Sequence, residues 1–471
     1  MPKVALVGAG SMVFSRNLVA DILAFDTLKE TTFALMDVDA ERLHVAAAMA
    51  ESINRSRGAG ATIVATEDRR AAIEGADYVI NTIGVGGFEA TRTDFAVPER
   101  FGLRQVIGDT LCIGGIFRTI RSLPVVLEMV GEMERLAPEA LLLTYTNPMA
   151  MHVLGIARAS RIRAVGLCHG VRHTRARMIL LARLAEMSPQ AVADVLSDWT
   201  PREPGGTGFW SFYQECLAET DTETLCAGIN HMAAFLRFRR RGEDLYPLLW
   251  EAYRRDDIRQ LEAVRLELTA RLGYFMTETS GHISEYLPWF LKSDGEIARL
   301  GLRPGAYIGT CEDLDATFQQ YRRKAAAGEP FIRPDEPVSV EYASRILSAG
   351  QTGEPFEFNG NLLNRRGDGS TLIDNLPPDC CVEVPCLADA AGIHPRPVGE
   401  LPPQCAALMR TNINVQDLTV RAVLQRKREH VYHAAMLDPN TAATLTLPEI
   451  EALVDAMFAA HGELIPEYLR A

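Results

Sequence analysis

A cysteine and two histidines in this sequence have the chemistry of a metal site. Cys168 and His169 directly follow the apolar run 164–167, which is typical of a buried strand, and His231 ends the motif Gly228-Ile229-Asn230-His231. Open α/β sheets bind their ligands at the carboxyl ends of strands, where Cys168 and His169 would lie. Thiolate and imidazole are ordinary ligands of first-row metals. We predict that Cys168 and His231 hold a metal ion, although an isolated cysteine or histidine is more often structural.

The N-terminus has the pattern of a dinucleotide-binding turn. The short apolar run 3–7 is followed by Gly8-Ala9-Gly10-Ser11 and then by apolar residues at helical spacing from Met12 onward. Gly8 permits a tight turn, and Gly10 lets a pyrophosphate approach the backbone at the helix N-terminus. The third glycine of the motif is absent, because Val13 stands in its place.

Asp37 strengthens this interpretation, because it ends the second predicted strand, 32–36. A carboxylate at that position can accept hydrogen bonds from the adenosine ribose and repel a 2′-phosphate, which favours NAD over NADP. The alternative is that Asp37 caps the helix beginning near Ala40.

Alternating strands and helices predict a doubly wound parallel sheet over residues 1–170. Small residues follow the fourth strand, where Thr82 and Gly84 would approach a cofactor, although a loop needing positive φ explains the glycines equally well. Residues 171–471 are predicted to form a mixed α+β domain for substrate, metal and oligomerisation. Further strands are predicted at 61–65, 78–83, 141–144, 164–167, 234–238 and 381–384, and later helices at 257–272 and 414–428.

The composition excludes several classes of protein. The chain has 471 residues, a net charge of −13, 47% hydrophobic residues and nine cysteines. The negative charge argues against a nucleic-acid surface. We find no apolar run long enough for a signal peptide core or a membrane span, and the odd number of cysteines fits reduced thiols. We therefore expect a cytoplasmic enzyme with neither nucleic-acid nor membrane partners.

Taken together, the motifs resemble glycoside hydrolase family 4, the NAD- and manganese-dependent glycosidases with a fold related to lactate and malate dehydrogenases. The resemblance extends over nearly the whole chain, and its C-terminal pieces look like the α-galactosidase and α-glucosidase members. It is carried by Leu6-Val7-Gly8-Ala9-Gly10-Ser11, Asp37-Val38-Asp39, Asn81-Thr82, Gly108-Asp109-Thr110, Gly115-Ile116-Phe117-Arg118, Thr146-Asn147-Pro148, Cys168-His169-Gly170, Gly228-Ile229-Asn230-His231, Gly242-Glu243-Asp244-Leu245-Tyr246-Pro247, Glu285-Tyr286, Pro288-Trp289 and Val382-Glu383-Val384-Pro385-Cys386.

The resemblance implies an unusual glycosidase mechanism. NAD⁺ would take a hydride from C3 of the sugar, and a base would then remove the C2 proton. Mn²⁺ bound to the C2 and C3 oxygens would stabilise the enolate. The aglycone would leave from C1, water would add, and the hydride would return. The rival interpretation is a simple NAD-dependent sugar dehydrogenase, which would release an oxidised product.

Site residues follow from the same resemblance. Cys168 and His231 would hold Mn²⁺, and His169 would assist the leaving group or merely orient Asn147 or Asp109. The base would come from the region 273–282, in which Tyr274, Glu278 and His282 are all capable. The predicted cofactor contacts are Gly8, Gly10, Ser11, Met12, Asp37, Thr82, Gly84 and Asn147, and the predicted substrate contacts are Asp109, Asn147, Arg92 and His169.

Three of the predicted substrate contacts, Asp109, Asn147 and Arg92, also have simpler interpretations. Asp109 could only cap the segment that follows it, Asn147 could form an Asx turn before Pro148, and Arg92 could be a solvated surface side chain. Arg118 is a weaker candidate of the same kind.

The motif Cys168-His169-Gly170 resembles members that act on unphosphorylated α-glycosides and uronides. An α-galactoside, an α-glucoside or a uronide is therefore the expected substrate, and a sulfoquinovoside is the alternative. One departure from the family is extra aromatic material over 196–224, which would form a substrate lid or pocket wall, or else an oligomer contact or surface excursion. A homodimer or homotetramer is expected from the resemblance alone.

Overall fold

The apolar runs predicted in the first 170 residues form strands of one large sheet. The computed structural model describes residues 1–197, 199 and 207–470 of the chain. The strands in these residues are β1 Lys3–Val7, β2 Thr32–Met36, β3 Thr62–Thr66, β4 Tyr78–Asn81, β5 Leu141–Thr144, β6 Arg163–Leu167, β7 Thr222–Ala227, β8 Ala234–Arg240, β9 Glu243–Asp244, β10 Phe356–Leu363, β11 Cys381–Asp389 and β12 Gly392–Pro395.

The large sheet has the order β12-β11-β10-β6-β5-β4-β1-β2-β3 in the described part of the chain. β1 pairs with β2 in parallel, from Lys3 opposite Thr32 to Val7 opposite Met36. The pairs β1–β4, β2–β3, β4–β5 and β5–β6 are parallel as well. The order β3-β2-β1-β4-β5-β6 is that of doubly wound dinucleotide-binding folds. The predicted fold class is therefore confirmed.

Strands from the second half of the chain extend the same sheet. β10 lies antiparallel to β6, with Gly360 opposite Leu167, and β11 and β12 follow it in antiparallel pairs. β7, β8 and β9 form a separate antiparallel sheet. The mixed α+β character expected after residue 170 is thus present. The division into domains 1–170 and 171–471 stays a prediction.

The helices cover both faces of the large sheet and fill most of the second half. Within the described residues, none of them combines the length and the apolar character that a membrane span needs. They are α1 Met12–Ile22, α2 Ala40–Arg57, α3 Arg69–Ile73, α4 Gly87–Glu99, α5 Cys112–Leu136, α6 Met149–Ala159, α7 Gly170–Ala185, α8 Pro189–Leu196, α9 Thr207–Ala218, α10 Tyr246–Arg254, α11 Asp256–Arg259, α12 Ala263–Leu272, α13 Ser280–Glu285, α14 Asp294–Arg299, α15 Ala306–Ala327, α16 Ala343–Thr352, α17 Pro403–Gln425, α18 Glu429–Leu437, α19 Pro439–Thr444, α20 Leu447–His461 and α21 Glu467–Arg470.

Two helices differ from the predicted bounds for local reasons. The helix expected over 257–272 is interrupted at Glu262, whose backbone leaves the helical region with φ −148° and ψ 51°. The Glu262 carboxylate accepts hydrogen bonds from Arg265 Nε at 2.8 Å and Ser280 Oγ at 2.9 Å. The helix expected over 414–428 ends at Gln425, because Arg426 adopts a left-handed φ of 57°.

A buried ion pair fixes the loop that follows β4. Arg121 of α5 donates hydrogen bonds to both carboxylate oxygens of Asp94 in α4, at 2.9 and 2.6 Å. Both side chains are 1% exposed. Arg121 Nε also donates to the carbonyl oxygen of Val85 at 3.2 Å, and His461 Nε2 of α20 lies 3.0 Å from Asp94 Oδ1. The pair therefore joins the loop 84–87 to three helices.

We expect Arg121→Met to lower the free energy of unfolding by about 3–5 kcal/mol, because it leaves the buried Asp94 carboxylate without its cation. Urea denaturation followed by circular dichroism measures the change. Arg92→Met is the matched control: Arg92 pairs with Glu89 at 3.0 Å, but the two side chains are 50% and 81% exposed. Loss of this exposed ion pair should lower the free energy of unfolding by no more than about 1 kcal/mol. Equal effects of the two variants would contradict the role assigned to the buried pair.

Candidate functional site at the carboxyl edge of the sheet

The turn after β1 packs closely against the loop after β4 and against Asp37. Gly8 has a φ of +92°, and a Cβ there would lie 2.7 Å from backbone atoms of Thr82 and Ile83. A Cβ on Gly10 would lie 2.6 Å from Asp37 Oδ2. Both positions therefore need glycine, as the dinucleotide pattern predicted.

Asp37 lies at this turn and does not cap a helix. Its Oδ2 accepts a hydrogen bond from Gly10 N at 2.7 Å, and its Oδ1 accepts one from Asp39 N at 3.0 Å. The N-cap of α2 is Asp39, which accepts from Arg42 N. The capping alternative for Asp37 is therefore wrong, because Asp39 occupies the N-cap position of the helix that begins at Ala40.

The other predicted cofactor residues surround the same turn. Ser11 and Met12 lead into α1, and Thr82 Oγ1 donates to Gly8 O at 2.9 Å. β4 ends at Asn81, two residues earlier than predicted, because the Asn81 side chain accepts the backbone N–H of Ile83. Positive φ explains the glycines at 86 and 87, whereas the glycine at 84 lacks it.

Cys168, His231 and Glu278 converge although they come from three parts of the chain. Cys168 follows β6, and its Sγ lies 3.4 Å from His231 Nε2 and 3.7 Å from Glu278 Oε1. His231 Nε2 lies 3.8 Å from Glu278 Oε1. These are three potential ligand atoms within 4.8 Å of one another. The fold thus brings together Cys168 and His231, which are 63 positions apart in the sequence.

The segments that carry His231 and Glu278 are tied to each other. His231 lies between β7 and β8 with a positive φ of 65°. Beside it, Thr277 N donates to Ala233 O at 2.9 Å, and Ala233 N donates to Thr277 Oγ1 at 3.0 Å. An antiparallel bridge joins Ala234 to Met276. This short ladder fixes the distance between the imidazole and the carboxylate.

The electrostatics of the cluster suit a cation. Burial raises the pKa of Cys168 well above its usual range. Burial also raises the pKa of Glu278, but the positive charges of His231 and His282 outweigh it and lower the value to about 2. The Glu278 carboxylate is therefore charged. Thiolate, imidazole and carboxylate form a donor set that fits a divalent first-row metal.

A second group of polar side chains adjoins the cluster. Asn147 Nδ2 donates to Asp109 Oδ2 at 3.0 Å, and His282 Nε2 lies 3.9 Å from Asp109 Oδ1. Burial raises the pKa of Asp109, but the charges of Arg118 and His282 outweigh it and lower the value. The N-cap of α5 is Leu111, so Asp109 is not its cap. Asp109 and Asn147 thus present paired polar groups that suit sugar hydroxyls.

His169 is held by a residue that sequence reasoning missed. Its Nδ1 lies 2.8 Å from Oε1 of Glu341, which is 4% exposed. Burial lowers the pKa of His169, but the hydrogen bond and charge of Glu341 outweigh it and raise the value. The predicted alternative, that His169 orients Asn147 or Asp109, has no support, because its hydrogen bond goes to Glu341. The two residues are 172 positions apart, and no local motif signals the pair.

The described part of the predicted insertion packs beside His169. The His169 and His173 rings meet edge to face at 5.0 Å, and Tyr213 Oη of α9 lies 2.7 Å from His173 Nδ1. Tyr213 is buried. Residues 198 and 200–206 of the predicted lid or pocket wall lie outside the described residues.

Two predicted site residues lie elsewhere. Tyr274 packs against Tyr246, with ring centroids 6.2 Å apart, and is partly buried between two hydrophobic clusters. Arg92 is on the exposed face of α4, paired with Glu89 and stacked over Phe88. Neither has a described contact with the Cys168 cluster. Glu278 and His282 are the candidates from 273–282 that the fold places at the site.

Comparison with known proteins identifies relatives over the whole chain. Residues 3–184 match the family described as Family 4 glycosyl hydrolase, and residues 226–441 match the Family 4 glycosyl hydrolase C-terminal domain. An alpha-galactosidase of Bacillus subtilis is 38% identical over 472 residues, covering 99% of this chain and 100% of the relative. An alpha-galactosidase of Rhizobium meliloti is 32% identical, covering 100% and 90%.

A solved structure shares the fold. A 6-phospho-alpha-glucosidase from gut microorganisms, crystallised with NAD and Mn²⁺, superposes with a TM-score of 0.76 at 19% identity. The superposition covers 99% of each chain.

The turn 146–148 beside Asp109 is supported by a buried histidine. His152 Nδ1 donates to Thr146 O at 3.0 Å, and its Nε2 lies 2.7 Å from Ser122 Oγ. Burial lowers the pKa of His152 to about 4. The unfolded chain binds a proton near pH 6.5, so it takes up more protons than the folded chain between pH 6.5 and 4.

The folded state should therefore lose stability as the pH falls through this window, by up to about 3 kcal/mol from His152. We expect His152→Gln to flatten the dependence, because glutamine does not titrate. Urea unfolding at several pH values between 7 and 4 measures the slope. His44→Gln, at an exposed histidine of α2, should leave the slope unchanged. If the free energies of unfolding of wild type and His152→Gln differ by the same amount at every pH, His152 is not the source of the pH dependence.

Proposed function

This chain belongs to the family 4 glycosyl hydrolases, and from that premise we propose that it hydrolyses unphosphorylated α-galactosides using NAD and Mn²⁺. The observation that carries the proposal is the Cys168–His231–Glu278 cluster beside Asp109 and Asn147, at the sheet edge that also holds the glycine turn. Likeness to two alpha-galactosidases supports the sugar. When bound, the dinucleotide supplies reversible hydride acceptance and the metal supplies a Lewis acid.

The glycine turn fits a dinucleotide. Gly8 and Gly10 let the turn pack against Thr82 and Asp37, and the N-terminus of α1 that follows favours a phosphate charge. Asp37 keeps carboxylate lone pairs available for ribose hydroxyls beside the hydrogen bond from Gly10 N. The proposed cofactor set is Gly8, Gly10, Ser11, Met12, Asp37, Thr82, Gly84 and Asn147.

Cys168 and His231 would hold the metal, and neighbouring side chains would hold the sugar. Asp109 accepts and Asn147 donates hydrogen bonds, so the pair can fix two hydroxyl groups. A charged Asp109 disfavours a carboxylate or phosphate on the substrate. This charge balance supports a neutral galactoside over a uronide or a sulfoquinovoside.

His169 would serve the leaving group. Glu341 accepts a hydrogen bond from its Nδ1, which leaves Nε2 as the atom that can give a proton to the glycosidic oxygen. The hydrogen bond and charge of Glu341 raise the pKa of His169, which favours the protonated imidazole that a general acid needs. The assembly into a homodimer or homotetramer and the cytoplasmic location are proposed from the family resemblance and the unpaired cysteines alone.

The test is incubation of the chain with NAD⁺, Mn²⁺, a reductant and 4-nitrophenyl α-galactoside in D₂O. We expect nitrophenol release, deuterium at C2 of the product and no net NADH. Parallel reactions with the α-glucoside, α-galacturonide and sulfoquinovoside rank the alternatives. NADH accumulation without cleavage would establish the dehydrogenase instead. Cys168→Ser should abolish turnover and leave NAD binding intact; activity of this variant in chelator would overturn the metal assignment.

The ribose role of Asp37 predicts the cofactor preference. Asp37→Ser removes the charge that repels a 2′-phosphate, so the ratio of NADP to NAD dissociation constants should fall by at least about tenfold, equivalent to about 1.4 kcal/mol. Fluorescence titration with both dinucleotides measures the ratio. Asp39→Ser removes a neighbouring carboxylate, keeps an N-cap residue on α2 and should leave the ratio unchanged. An unaltered ratio in Asp37→Ser would count against the ribose contact.

A further inference from the structure

We infer that Glu278 is the third protein ligand of the divalent metal held by Cys168 and His231, and that it is not the base of the reaction. This inference rests on the proposed metal dependence. It deepens that proposal by adding a hard oxygen donor to a site that otherwise offers sulfur and nitrogen. Mn²⁺ prefers oxygen ligands, whereas thiolate and imidazole alone suit zinc.

The geometry is that of ligands around one ion. Glu278 Oε1, Cys168 Sγ and His231 Nε2 form a nearly equilateral triangle with sides of 3.4, 3.7 and 3.8 Å. Metal–ligand bonds of about 2.0–2.3 Å place neighbouring ligand atoms roughly 3–4 Å apart. An imidazole N–H hydrogen-bonded to the carboxylate would lie closer than the 3.8 Å seen for His231, at roughly 2.7–3.0 Å.

The Glu278 carboxylate also lacks a conventional partner. Its side chain is 14% exposed. Within the described residues its one hydrogen-bond donor is the Cys168 thiol, with Sγ 3.7 Å from Oε1, and the nearest nitrogens, His231 Nε2 and His282 Nδ1, are both 3.8 Å away. Buried carboxylates are normally paired or hydrogen-bonded, since an isolated buried charge is costly. A cation bound between the three ligand atoms would give the Glu278 carboxylate a partner of opposite charge.

Gly170 gives a second, independent indication. A Cβ at this position would lie 1.9 Å from Glu278 Oε1 and 3.2 Å from Cys168 Sγ. The backbone conformation itself does not call for glycine, because Gly170 has no positive φ. A side chain at position 170 would therefore displace the Glu278 carboxylate from its place beside Cys168.

The test is Mn²⁺ binding to the metal-free full chain without NAD or sugar, followed by electron paramagnetic resonance of free Mn²⁺. We expect Glu278→Gln to weaken Mn²⁺ binding by at least about 100-fold, since even outer contacts of metal sites cost 10–100-fold. Because Mn²⁺ gains most from the oxygen, Zn²⁺ binding should weaken less. A base would leave metal affinity unchanged, so an Mn²⁺ affinity within threefold of wild type overturns the inference.

Glu341→Gln is the matched control, because it neutralises another buried carboxylate near Cys168 that does not belong to the triangle. It should change Mn²⁺ affinity less than threefold; a loss equal to that of Glu278→Gln would mean a general charge effect and would overturn the inference. If Glu278→Gln does not fold, as judged by circular dichroism, Glu278→Asp makes the same comparison with the carboxylate withdrawn by one methylene. A wild-type chain that binds no Mn²⁺ would instead refute the proposed metal dependence.

Discussion

A partly buried thiol and a partly buried carboxylate lie 3.7 Å apart at the carboxyl edge of the large sheet, and the rest of the site is arranged around them. Burial keeps the Cys168 thiol protonated, while the imidazoles of His231 and His282 keep Glu278 ionised. Two anions at this distance would repel strongly in a low-dielectric pocket. In the proposed metal-bound state a divalent ion would replace the thiol proton and satisfy both groups, so metal binding would be coupled to proton release.

The fold can build this pocket because each ligand is anchored by a different element. Cys168 ends the β6 strand of the large sheet, and His231 precedes β8 of the small sheet. The antiparallel bridge between Ala234 and Met276 places Glu278, two residues further along the chain, beside them. The interface between the two sheets is reinforced by paired backbone hydrogen bonds between Gly228 and Glu383. The metal cluster is therefore a property of the junction between the two halves of the chain.

Local pattern was enough for the parts of the protein that local contacts determine. The strand–turn–helix around Gly8, the position of Asp37 and the doubly wound sheet follow from apolar runs and glycine chemistry, which act within a few residues. The interruption at Glu262 could not be predicted, because a long-range network of Arg265 and Ser280 overrides a helical pattern. Glu341 could not be predicted for the same reason, because no residue near it in the sequence indicates that it contacts His169. Tyr274 has suitable chemistry, but packing turns it toward Tyr246.

The distribution of charge explains how one pocket can hold both a cofactor and a sugar. Asp37 lies on the dinucleotide side, where its carboxylate bonds the Gly10 backbone, while Asp109 and Glu278 lie on the side of the metal cluster. His282 stands between the latter two, 3.9 and 3.8 Å from their oxygens, and its imidazole can share charge with either. A neutral sugar bound there adds no further negative charge, and its hydroxyl groups can be shared between Asp109, Asn147 and the metal. An anionic sugar would have to recruit a cation of its own, and Arg118 is already engaged with Asp109 and Tyr307. In the proposed function, the charge of Asp109 would therefore favour a substrate without charge.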